Sequence, residues 1–409
     1  MRILIFGARY QPDLGPGAPI FTMLCENLVK LGHQVTMIAP VPKNPSGRVP
    51  PEYRGKWLWQ SVENGVEVIR VNTPSLDRRK FLLRMIRYVA YQLGTAWVGL
   101  HKGYDIVLAG SSSLSMWLPY ALLAVLRRKP AIYAVYDVYP AVGVKLGVFR
   151  NKLVLALVTA MEKFCLNYAA LVRIISESFR SELREMGVPD DKMVLIYDWV
   201  DTDLVRPLPQ DNAFMQEYGL SGKFVVLYAG NMGLSQGLEN VLATAEMLAK
   251  IEDILFVFVG DGVNRGPLIA EAEKRRLKNV KFIPFQPRQR LPEVMASASV
   301  SLVILQQGIG YNSIPSKTYS IFASGRPIIA SIDEGSDAWN LISKANAGLC
   351  VPPENPSKIK DAILKLKNDP DLCKRLGANG RHWAEMYHSP LAGAKNIEKL
   401  LIDAIALEK

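Results

Sequence analysis

The residues best suited to chemistry in this chain are small, polar or cationic, and they follow short apolar runs. In "YAGNMGLSQGLENVL" (228–242), Gly230 and Gly233 come directly after a strand-like run, and a helical pattern follows. Glycines allow a ligand to approach the backbone closely, and the free N–H groups at the start of a helix attract a phosphate. The amides of Asn231 and Gln236 add further hydrogen-bond donors. The pattern predicts an anion-binding loop, with a tight turn that binds nothing as the alternative.

A second turn of the same construction, "FVGDGVNRGPL" (258–268), places an arginine at the start of a helix. Gly260, Asp261 and Gly262 form the turn, and Arg265 can make charge-assisted hydrogen bonds to a diphosphate. The alternative is a solvent-exposed arginine, with Asp261 as the N-cap of the helix.

A third group, in "SIPSKTYSIFASGRP" (313–327), puts Ser316 and Lys317 at the start of a helix. A lysine beside a helix N-terminus is suited to clamping an anion, because both carry positive charge. We expect Gly325 to end this helix as its C-cap, and Pro327 prevents the helix from continuing.

Further candidates lie in the first half of the chain. Gly15 and Gly17 separate the first strand-like run from the first helix, so their loop either faces a bound ligand or is a free surface loop. Asp137 follows a later strand and can contact a substrate or cap a helix. His33 precedes a strand, and we interpret it as structural. The histidines and cysteines are scattered without metal-ligand spacing, so the sequence predicts no metal site.

These turns are positioned by strands and helices that alternate along the whole chain. The apolar strand-like runs are 3–6, 34–39, 67–71, 105–110, 131–136 and 171–176 in the first half, and 224–230, 254–260, 280–285, 300–305, 327–331 and 347–352 in the second. Continuous apolar runs between helices predict parallel sheets covered on both faces. Two such series predict two doubly wound domains of the α/β class.

A Pro- and Asp-rich stretch marks the boundary between the two series. We place a linker near 203–212, with an N-terminal domain over 1–205 and a C-terminal domain over 206–392. The last helix, about 393–409, is expected to pack back on the N-terminal domain.

The composition is that of a globular protein with an excess of positive charge. The 409 residues carry a formal net charge of +11, which favours phosphates, nucleic acid or an acidic membrane surface as a partner; a merely basic surface is the alternative. The first residues contain an apolar run too short for a secretory signal. The longest apolar stretch, 114–126, has 13 residues, whereas a membrane-spanning helix needs about 20.

Together these segments resemble the retaining, nucleotide-sugar-dependent glycosyltransferases of family 4, which have the GT-B fold. The turns at 228–242 and 258–268 are similar to that family's phosphate loops, and "VKFIPFQPRQRLPEVM" (280–295), which contains Phe285, resembles its base-contacting loop. In the first half, "LGHQVTMIAP" and "YDVYPAVGVKLG" are similar to the branch that builds bacterial surface polysaccharides, including N-acetylfucosaminyl transferases. The resemblance implies two Rossmann-like domains that face each other across a cleft.

The activity implied by the resemblance is transfer of a sugar, of an N-acetylated hexosamine type, from a nucleotide donor. UDP is the expected nucleotide, and neither a metal nor another cofactor is expected. The donor-binding residues implied are Gly15, Gly17, Gly230, Asn231, Gly233, Gln236, Gly260, Asp261, Gly262, Phe285, Asn312, Ser316 and Ser320. Arg265 and Lys317 are expected to neutralise the departing diphosphate. Asp137 is expected to contact the donor sugar or the acceptor.

The sequence departs from the family's pattern at positions that usually carry charge. Asn231 and Gln236 stand where the first phosphate loop has an arginine and a lysine, and Asn312 and Ser320 stand where the sugar-binding motif has two glutamates. We interpret this as replacement rather than loss, with an altered preference for the donor sugar.

A basic amphipathic segment at 78–102 indicates how an acceptor could approach. It contains six Lys or Arg residues and no acid. One helical face carries the apolar residues Leu82, Met85, Val89, Leu93, Ala96 and Leu100. Such a segment can lie on anionic lipid, or it can be a helix buried against its sheet with a solvated basic face. We expect a cytoplasmic protein, peripheral at the inner face of the plasma membrane, with a lipid-linked or saccharide acceptor.

Other functions stay open on the sequence alone. The replaced glutamates are also consistent with a catalytically silent protein that binds a nucleotide-sugar. A sugar-nucleotide epimerase can share the fold, although the acidic and histidine residues of an epimerase cleft are not found. Nucleic acid is not expected as a partner, because the basic residues are not interleaved with aromatic stacking platforms.

Overall fold

The computed structural model describes residues 1–7, 9–13, 17–43, 49–74, 81–111, 113–138, 151–311 and 314–407, without the side chains of 81, 82, 84 and 113–115. The chain divides into two compact units. The first comprises Met1–Tyr197 and Gly393–Lys409, and the second comprises Asp198–Ala392.

The first unit is built on an eight-stranded sheet with the order β3-β4-β2-β1-β5-β6-β7-β8. Its strands are β1 (Arg2–Phe6), β2 (Gln34–Pro40), β3 (Leu58–Glu63), β4 (Val66–Val71), β5 (Ile106–Gly110), β6 (Ala131–Val135), β7 (Leu171–Ile174) and β8 (Met193–Leu195). Its helices include α1 (Gly17–Lys30), α2 (Phe81–Leu100), α3 (Ser113–Tyr120), α4 (Lys152–Tyr168) and α5 (Phe179–Glu185). A π-helical turn, Ala121–Leu126, extends α3.

One edge of this sheet differs from the expected parallel pattern. Strand β3 pairs antiparallel with β4, whereas the other pairings are parallel. The hairpin turns at Asn64 and Gly65, which both have positive φ, 50° and 83°. An Asn-Gly pair is the usual signature of a two-residue hairpin. The first sheet is therefore parallel as expected except at this edge, where the sequence analysis did not predict β3.

The second unit contains a parallel six-stranded sheet with the order β11-β10-β9-β12-β13-β14. The strands are β9 (Phe224–Ala229), β10 (Ile254–Val259), β11 (Val280–Ile283), β12 (Val300–Ile304), β13 (Ile328–Ser331) and β14 (Gly348–Val351). The helices are α6 (Ala213–Glu217), α7 (Glu239–Met247), α8 (Arg265–Lys274), α9 (Leu291–Ala296), α10 (Lys317–Ser324), α11 (Asp337–Ala345), α12 (Pro356–Asn368) and α13 (Pro370–Tyr387). A last helix, α14 (Pro390–Ala406), follows.

The strand order reverses at β9, which lies between β10 and β12. In open parallel sheets such a switch point leaves a crevice at the carboxyl ends of the strands, where ligands bind. The prediction of two doubly wound α/β domains is confirmed, and the turns singled out in the second half of the sequence follow β9 and β10.

The unit boundary lies at 197/198, earlier than the boundary expected at 205/206. The backbone of the segment after residue 197 is hydrogen-bonded to α13 and to His388, the residue that follows it. The Val200 N–H donates to His388 O at 2.9 Å, and Arg381 Nη1 donates to the carbonyl oxygens of Thr202 and Val205, both at 3.0 Å. These bonds use backbone groups of the segment, so the side-chain composition that suggested a linker does not reveal them.

The C-terminal residues Gly393–Lys409 group with the first unit. His33 Nε2 lies 2.7 Å from Glu398 Oε1, and the N-terminal amine lies 3.3 Å from His33 Nδ1. These contacts agree with a structural role for His33. Among the helices described, none is both long and apolar enough to cross a bilayer.

Candidate active site

The loops after β9 and β10 are in direct contact at the switch point. Gly230 N donates to Val259 O at 2.9 Å, and Met232 N donates to Asp261 O at 2.8 Å. The loop after β12 joins them, because Gln306 N donates to Ser235 O at 3.0 Å. Turns distant in sequence thus form one surface at the carboxyl edge of the second sheet.

Two glycines make this close approach possible. A Cβ on Gly260 would lie 2.1 Å from Gly230 O, and a Cβ on Gly262 would lie 2.4 Å from Met232 O. Both glycines also have positive φ, 141° and 153°, which other L-residues rarely adopt. The Gly-Asp-Gly sequence therefore permits two loops to touch through their backbones.

Lys317 is the first residue of α10, and its ammonium group points into this surface. A Cβ on Gly230 would lie 3.3 Å from Lys317 Nζ, so a larger residue at 230 would press on the ammonium group. The ring of Tyr228, at the end of β9, lies below it, with the centroid 3.6 Å from Nζ. This short cation–π contact holds the amine over the strand end.

The Lys317 amine is buried, and no neighbour among the described residues satisfies it. Its Nζ is buried and has no hydrogen-bond partner among the residues described. Burial disfavours the charged form and lowers the pKa of Lys317 to about 7. A buried amine with no acceptor is costly unless a ligand satisfies it. We therefore regard Lys317 as the centre of a candidate anion site.

Arg265 begins α8, beside the Gly-Asp-Gly turn. It is half-buried, and its Nε is buried without a hydrogen-bond partner in the part of the chain that the structure describes. The N-cap of α8 is Asn264, whose side chain donates to Glu239 Oε1 at 2.7 Å. Asp261 is not the N-cap, and its Oδ1 accepts from Gly262 N at 2.8 Å. Arg265 thus adds a second unsatisfied cationic group.

Asn231 and Gln236, the amides at positions where the family pattern has basic residues, make different contacts. Gln236 braces the first loop, since its Oε1 accepts from Gly233 N at 2.8 Å and its Nε2 donates to Ser235 Oγ at 2.9 Å. Asn231 is exposed, and its backbone oxygen accepts from Tyr228 OH at 2.6 Å. Of the two, Asn231 has the more accessible amide, whereas the expected donor role of Gln236 is partly taken up inside the loop.

The remaining expected donor contacts lie around the same edge. Ser316 is the N-cap residue of α10 without a side-chain cap bond, and Ser320 lies one turn after Lys317 on the same helix. Phe285, after β11, is an aromatic ring with 74% of its surface exposed, as a base-stacking residue would be. Asn312 lies outside the described residues, and so does Gly15.

Asp333 was not singled out from the sequence. It is buried after β13, and its two carboxylate oxygens accept from Gly308 N and Gly310 N, both at 2.9 Å. These bonds fix the loop that leads from β12 towards 312. The sequence signal for Asp333 was an acid directly after a strand-like run, with glycines in the loop that follows the preceding strand.

In the first unit, Asp137 lies just after β6, at the carboxyl edge of the sheet. It is exposed, yet nearby protein atoms desolvate its carboxyl group and raise its pKa above the ordinary value. Gly17 opens α1, and among the described residues a Cβ there would meet Phe21 at 4.0 Å and nothing nearer. Packing therefore does not require a glycine at 17, and a ligand role for it stays a prediction.

Two buried cations near the same edge of the first unit were missed in the sequence. Arg70, at 1% exposure, donates through Nη2 to Gln11 O at 2.5 Å and pairs with Glu63 at 3.0 Å. Lys43 Nζ donates to Thr73 O at 2.6 Å. Single basic residues within a strand or loop give no sequence signal of burial.

No group of three or more His, Cys, Asp or Glu side chains suited to a metal ion occurs among the described residues.

Two family models match the chain, one in each half. Residues 17–199 match a glycosyl transferase 4-like domain, and residues 210–383 match the glycosyl transferases group 1 family. The second match spans every candidate residue described above for the second unit.

Relatives and solved structures agree with these matches. The "Putative colanic acid biosynthesis glycosyl transferase WcaI" of Escherichia coli is 26% identical over 90% of this chain and 94% of its own length. Sucrose-phosphate synthase from Thermosynechococcus elongatus has the same fold, with a TM-score of 0.74 over 99% of both chains at 18% identity. Anabaena HepE in complex with UDP-glucose has a TM-score of 0.67 over 98% of this chain and 100% of its own, at 15% identity.

The fold, the paired glycine loops and both family matches lead to one assignment. The protein is a glycosyltransferase of the GT-B fold, with a glycosyl transferase 4-like domain followed by a group 1 domain.

Proposed function

We propose that this glycosyltransferase moves a sugar from a UDP-linked donor to a lipid-linked or saccharide acceptor in the synthesis of bacterial cell-surface polysaccharide, with retention at the anomeric carbon. The observation that carries the proposal is the buried, unsatisfied amine of Lys317 at the switch point of the second sheet. The role of WcaI in colanic acid biosynthesis and the UDP-glucose bound by HepE support the acceptor and donor classes.

The diphosphate of the donor would satisfy both unsatisfied cations. An oxygen placed over Gly230 would accept from Lys317 Nζ, and Arg265 Nε would reach a neighbouring oxygen. The negative charge on the diphosphate grows as the sugar–phosphate bond breaks, so cations fixed beforehand stabilise the transition state more than the ground state. The exposed Phe285 would stack on the uracil ring.

The donor sugar is proposed to be of the N-acetylated hexosamine type. Its support is the resemblance of the first half to the surface-polysaccharide branch. Ser320 faces the same side of α10 as Lys317, one turn on, and offers a short neutral hydroxyl where the family pattern has a glutamate. A shorter side chain leaves room for a bulky substituent on the sugar.

A donor panel tests this proposal. The protein is incubated with UDP-, GDP- and dTDP-sugars and a lipid-linked acceptor, and both nucleotide release and transfer are measured. We expect release and transfer with a UDP-N-acetylhexosamine, and loss of both in Lys317→Met. The matched control is Lys278→Met, which removes an exposed lysine from the same unit. Binding without release across the whole panel would instead support the catalytically silent alternative.

The membrane proposal rests on α2, on a face that shares Val89 and Leu93 with the expected one but not Ala96. Ala96 is buried, and so is Tyr91, whose hydroxyl donates to Ile38 O at 3.1 Å. Four large apolar side chains on α2 are about half exposed, namely Ile86, Val89, Leu93 and Trp97. Their spacing places them along one side of the helix. This apolar face of α2 would enter the interfacial layer of a membrane.

One of the six basic charges in this segment is already paired with an acid. Lys102 forms an ion pair with Glu67 at 2.5 Å, and residues 78–80 lie outside the described part. We therefore propose that apolar insertion of α2 drives peripheral binding at the cytoplasmic leaflet, with anionic lipid adding attraction.

Liposome flotation tests this surface. We expect Trp97→Glu to reduce the fraction that floats with anionic vesicles, because a charge would enter the apolar layer. Val62→Glu, on the exposed edge strand β3, is the control and should float as the wild type does. Equal flotation of both variants would remove the apolar face of α2 from the proposal.

A further inference from the structure

A cavity lies in the second unit, at the edge of the sheet opposite the candidate active site. Its volume is about 660 Å³, within the size range of small-molecule sites. It is lined by the residue that begins β9, Phe224, and by residues that directly precede β12 and β13, Ser299 and Pro327. The cavity therefore lies at the amino ends of the strands, whereas the candidate active site lies at their carboxyl ends.

Gly325, the residue after α10, lies against α13 at one wall of this cavity. A Cβ on Gly377 would lie 2.1 Å from Gly325 O, so α13 crosses the end of α10 at backbone contact. Gly325 has a φ of 68° and is the C-cap of α10, as expected from the sequence. This crossing brings the basic side chains of α13 beside Arg326, which follows the C-cap.

Arg326 is a cation without a carboxylate partner. Its Nη2 donates to Leu208 O at 2.9 Å, and its Nε is buried with no hydrogen-bond partner among the described residues. No ion pair joins it to any acidic residue in the described ranges. Burial lowers the pKa of Arg326 from its ordinary value, because the charged form loses water without gaining a counter-charge.

The other charges that line the cavity are mostly positive. Lys367 pairs with Asp253, Arg381 pairs with Glu385 at 2.6 Å, and Lys374 lies 3.8 Å from Asp371 with 82% of its side chain exposed. His382 is exposed on the same wall. The single carboxylate among the lining residues, that of Glu385, is already bound to Arg381. An anion entering the cavity would meet Arg326, Lys374 and His382, while the carboxylates of Glu385 and Asp371 each lie beside another basic side chain or at the rim.

We propose that this cavity is a binding site for a small organic phosphate, held by Arg326 and separate from the donor site. The planar guanidinium of Arg326 suits the oxygens of a phosphate group, and Lys374 adds a second positive charge at the rim. Apolar walls from Phe224, Pro327 and Leu366 suit the carbon skeleton that carries the phosphate. A dianion explains the excess of cations better than a neutral ligand does.

Calorimetric titration with glucose 6-phosphate, inorganic phosphate and glucose tests the proposal. We expect glucose 6-phosphate to bind the wild type more tightly than inorganic phosphate, and glucose not to bind. Arg326→Gln should weaken glucose 6-phosphate binding about tenfold or more, the usual cost of losing a hydrogen bond to a charged group. Lys317→Met should leave this affinity unchanged within about twofold, since Lys317 lies at the other edge of the sheet.

Three results would overturn the proposal. They are no binding by the wild type up to about 10 mM, equal binding by wild type and Arg326→Gln, and loss of binding in Lys317→Met alone, which would place the phosphate at the donor site. If Arg326→Gln does not fold, the exposed Lys374→Gln replaces it, with about threefold weaker binding expected and unchanged affinity contradicting the proposal. None of these results depends on sugar transfer, so they separate this site from the proposed activity.

Discussion

Helix α10 has an unsatisfied basic group at its start and another just after its end, and we propose a different anion for each. Lys317 starts the helix, with its amine buried between Gly230 and the ring of Tyr228. Arg326 follows the C-cap, with Nε buried beside a cavity at the other edge of the sheet. Both cations lack a counter-charge in the described structure, so neither is explained by stability alone.

The difference between the two ends lies in proton chemistry. A lysine amine can lose its proton when it is buried, and the pKa of Lys317 falls to about 7. An arginine guanidinium keeps its proton under the same pressure. We therefore propose that the charge of Lys317 depends on the bound diphosphate, whereas Arg326 keeps its charge throughout. This contrast suits a reacting group at one end and a binding group at the other.

The largest effect is expected at the lysine end. Lys317→Met should lower the turnover of donor by about 100-fold or more, because it removes a fixed cation from the charge that develops on the leaving diphosphate. Initial rates of nucleotide release measure this effect, with Lys278→Met as the control. An unchanged rate would show that the amine does not face the reacting phosphates.

The C-terminal end of α10 should be critical for stability. Arg381 Nη1 donates to the carbonyl oxygens of Ala323, Thr202 and Val205, at 2.9 to 3.0 Å. Arg381→Met should therefore cost about 2–4 kcal/mol in the free energy of unfolding. Urea denaturation measures the loss, and Arg375→Met, an exposed arginine of the same helix, should cost under about 0.5 kcal/mol. Similar losses in the two variants would contradict this role.

The next largest effect is expected at the contact between Gly260 and Gly230, beside Lys317. Gly260→Ala should destabilise the protein by about 2 kcal/mol and weaken donor binding, because its Cβ would strike Gly230 O at a positive φ. Gly266→Ala is the matched control, since a Cβ there meets nothing within 4 Å and alanine favours the helix. Thermal unfolding and UDP titration of both variants provide the comparison; equal behaviour would mean that the two loops can separate freely.

Measuring the free energy of unfolding over a range of pH distinguishes Lys317 from Arg326. In the unfolded chain the pKa of Lys317 is about 10.4, whereas in the folded protein burial lowers it to about 7, so the folded amine is half deprotonated near pH 7. The unfolded state binds more protons in this window, so stability from this group rises with pH, by at most about 1.4 kcal/mol per unit. We expect Lys317→Met to remove that rise and Arg326→Met to leave the slope unchanged.

The affinity for UDP should change with pH in the opposite direction to stability over the same pH range. The diphosphate prefers the charged amine, so wild-type affinity for UDP should fall as pH rises above about 7, with proton uptake on binding. Titrations in buffers of different ionisation enthalpy measure the uptake. A wild type and a Lys317→Met variant with the same uptake would refute the assignment of the proton to Lys317.

Much of the fold could be predicted from local patterns in the sequence. The strands of the second unit were recognised because each is a continuous apolar run, the pattern of a strand buried on both faces. Strand β3 was missed because "LWQSVE" is half polar and half-exposed instead of a continuous apolar run, although the Asn-Gly pair after it is typical of a hairpin. The boundary was placed late because hydrogen bonds from Arg381, remote in sequence, attach the segment after 197 to the second unit.

The candidate site was recognised in part. Glycines and helix starts located Gly230, Gly260, Gly262 and Lys317, because positive φ and free N–H groups are local properties. Tyr228 and Asp333 were not found, since a tyrosine in a strand and an acid after one look ordinary in isolation. The apolar face of α2 was misplaced for a similar reason, because only packing against the sheet decides which side of an amphipathic helix is buried.

The sequence by itself determined the α/β class, the two doubly wound series and the glycine turns that carry the candidate chemistry. Only the tertiary structure decided that the Lys317 amine is buried against Gly230 and Tyr228 without a partner, and that Arg326 opens into a second cavity. The physical reason is that backbone conformation follows from neighbours in sequence, whereas solvation and counter-charge depend on residues brought together by folding. The opposite roles proposed for the two ends of α10 follow from those surroundings.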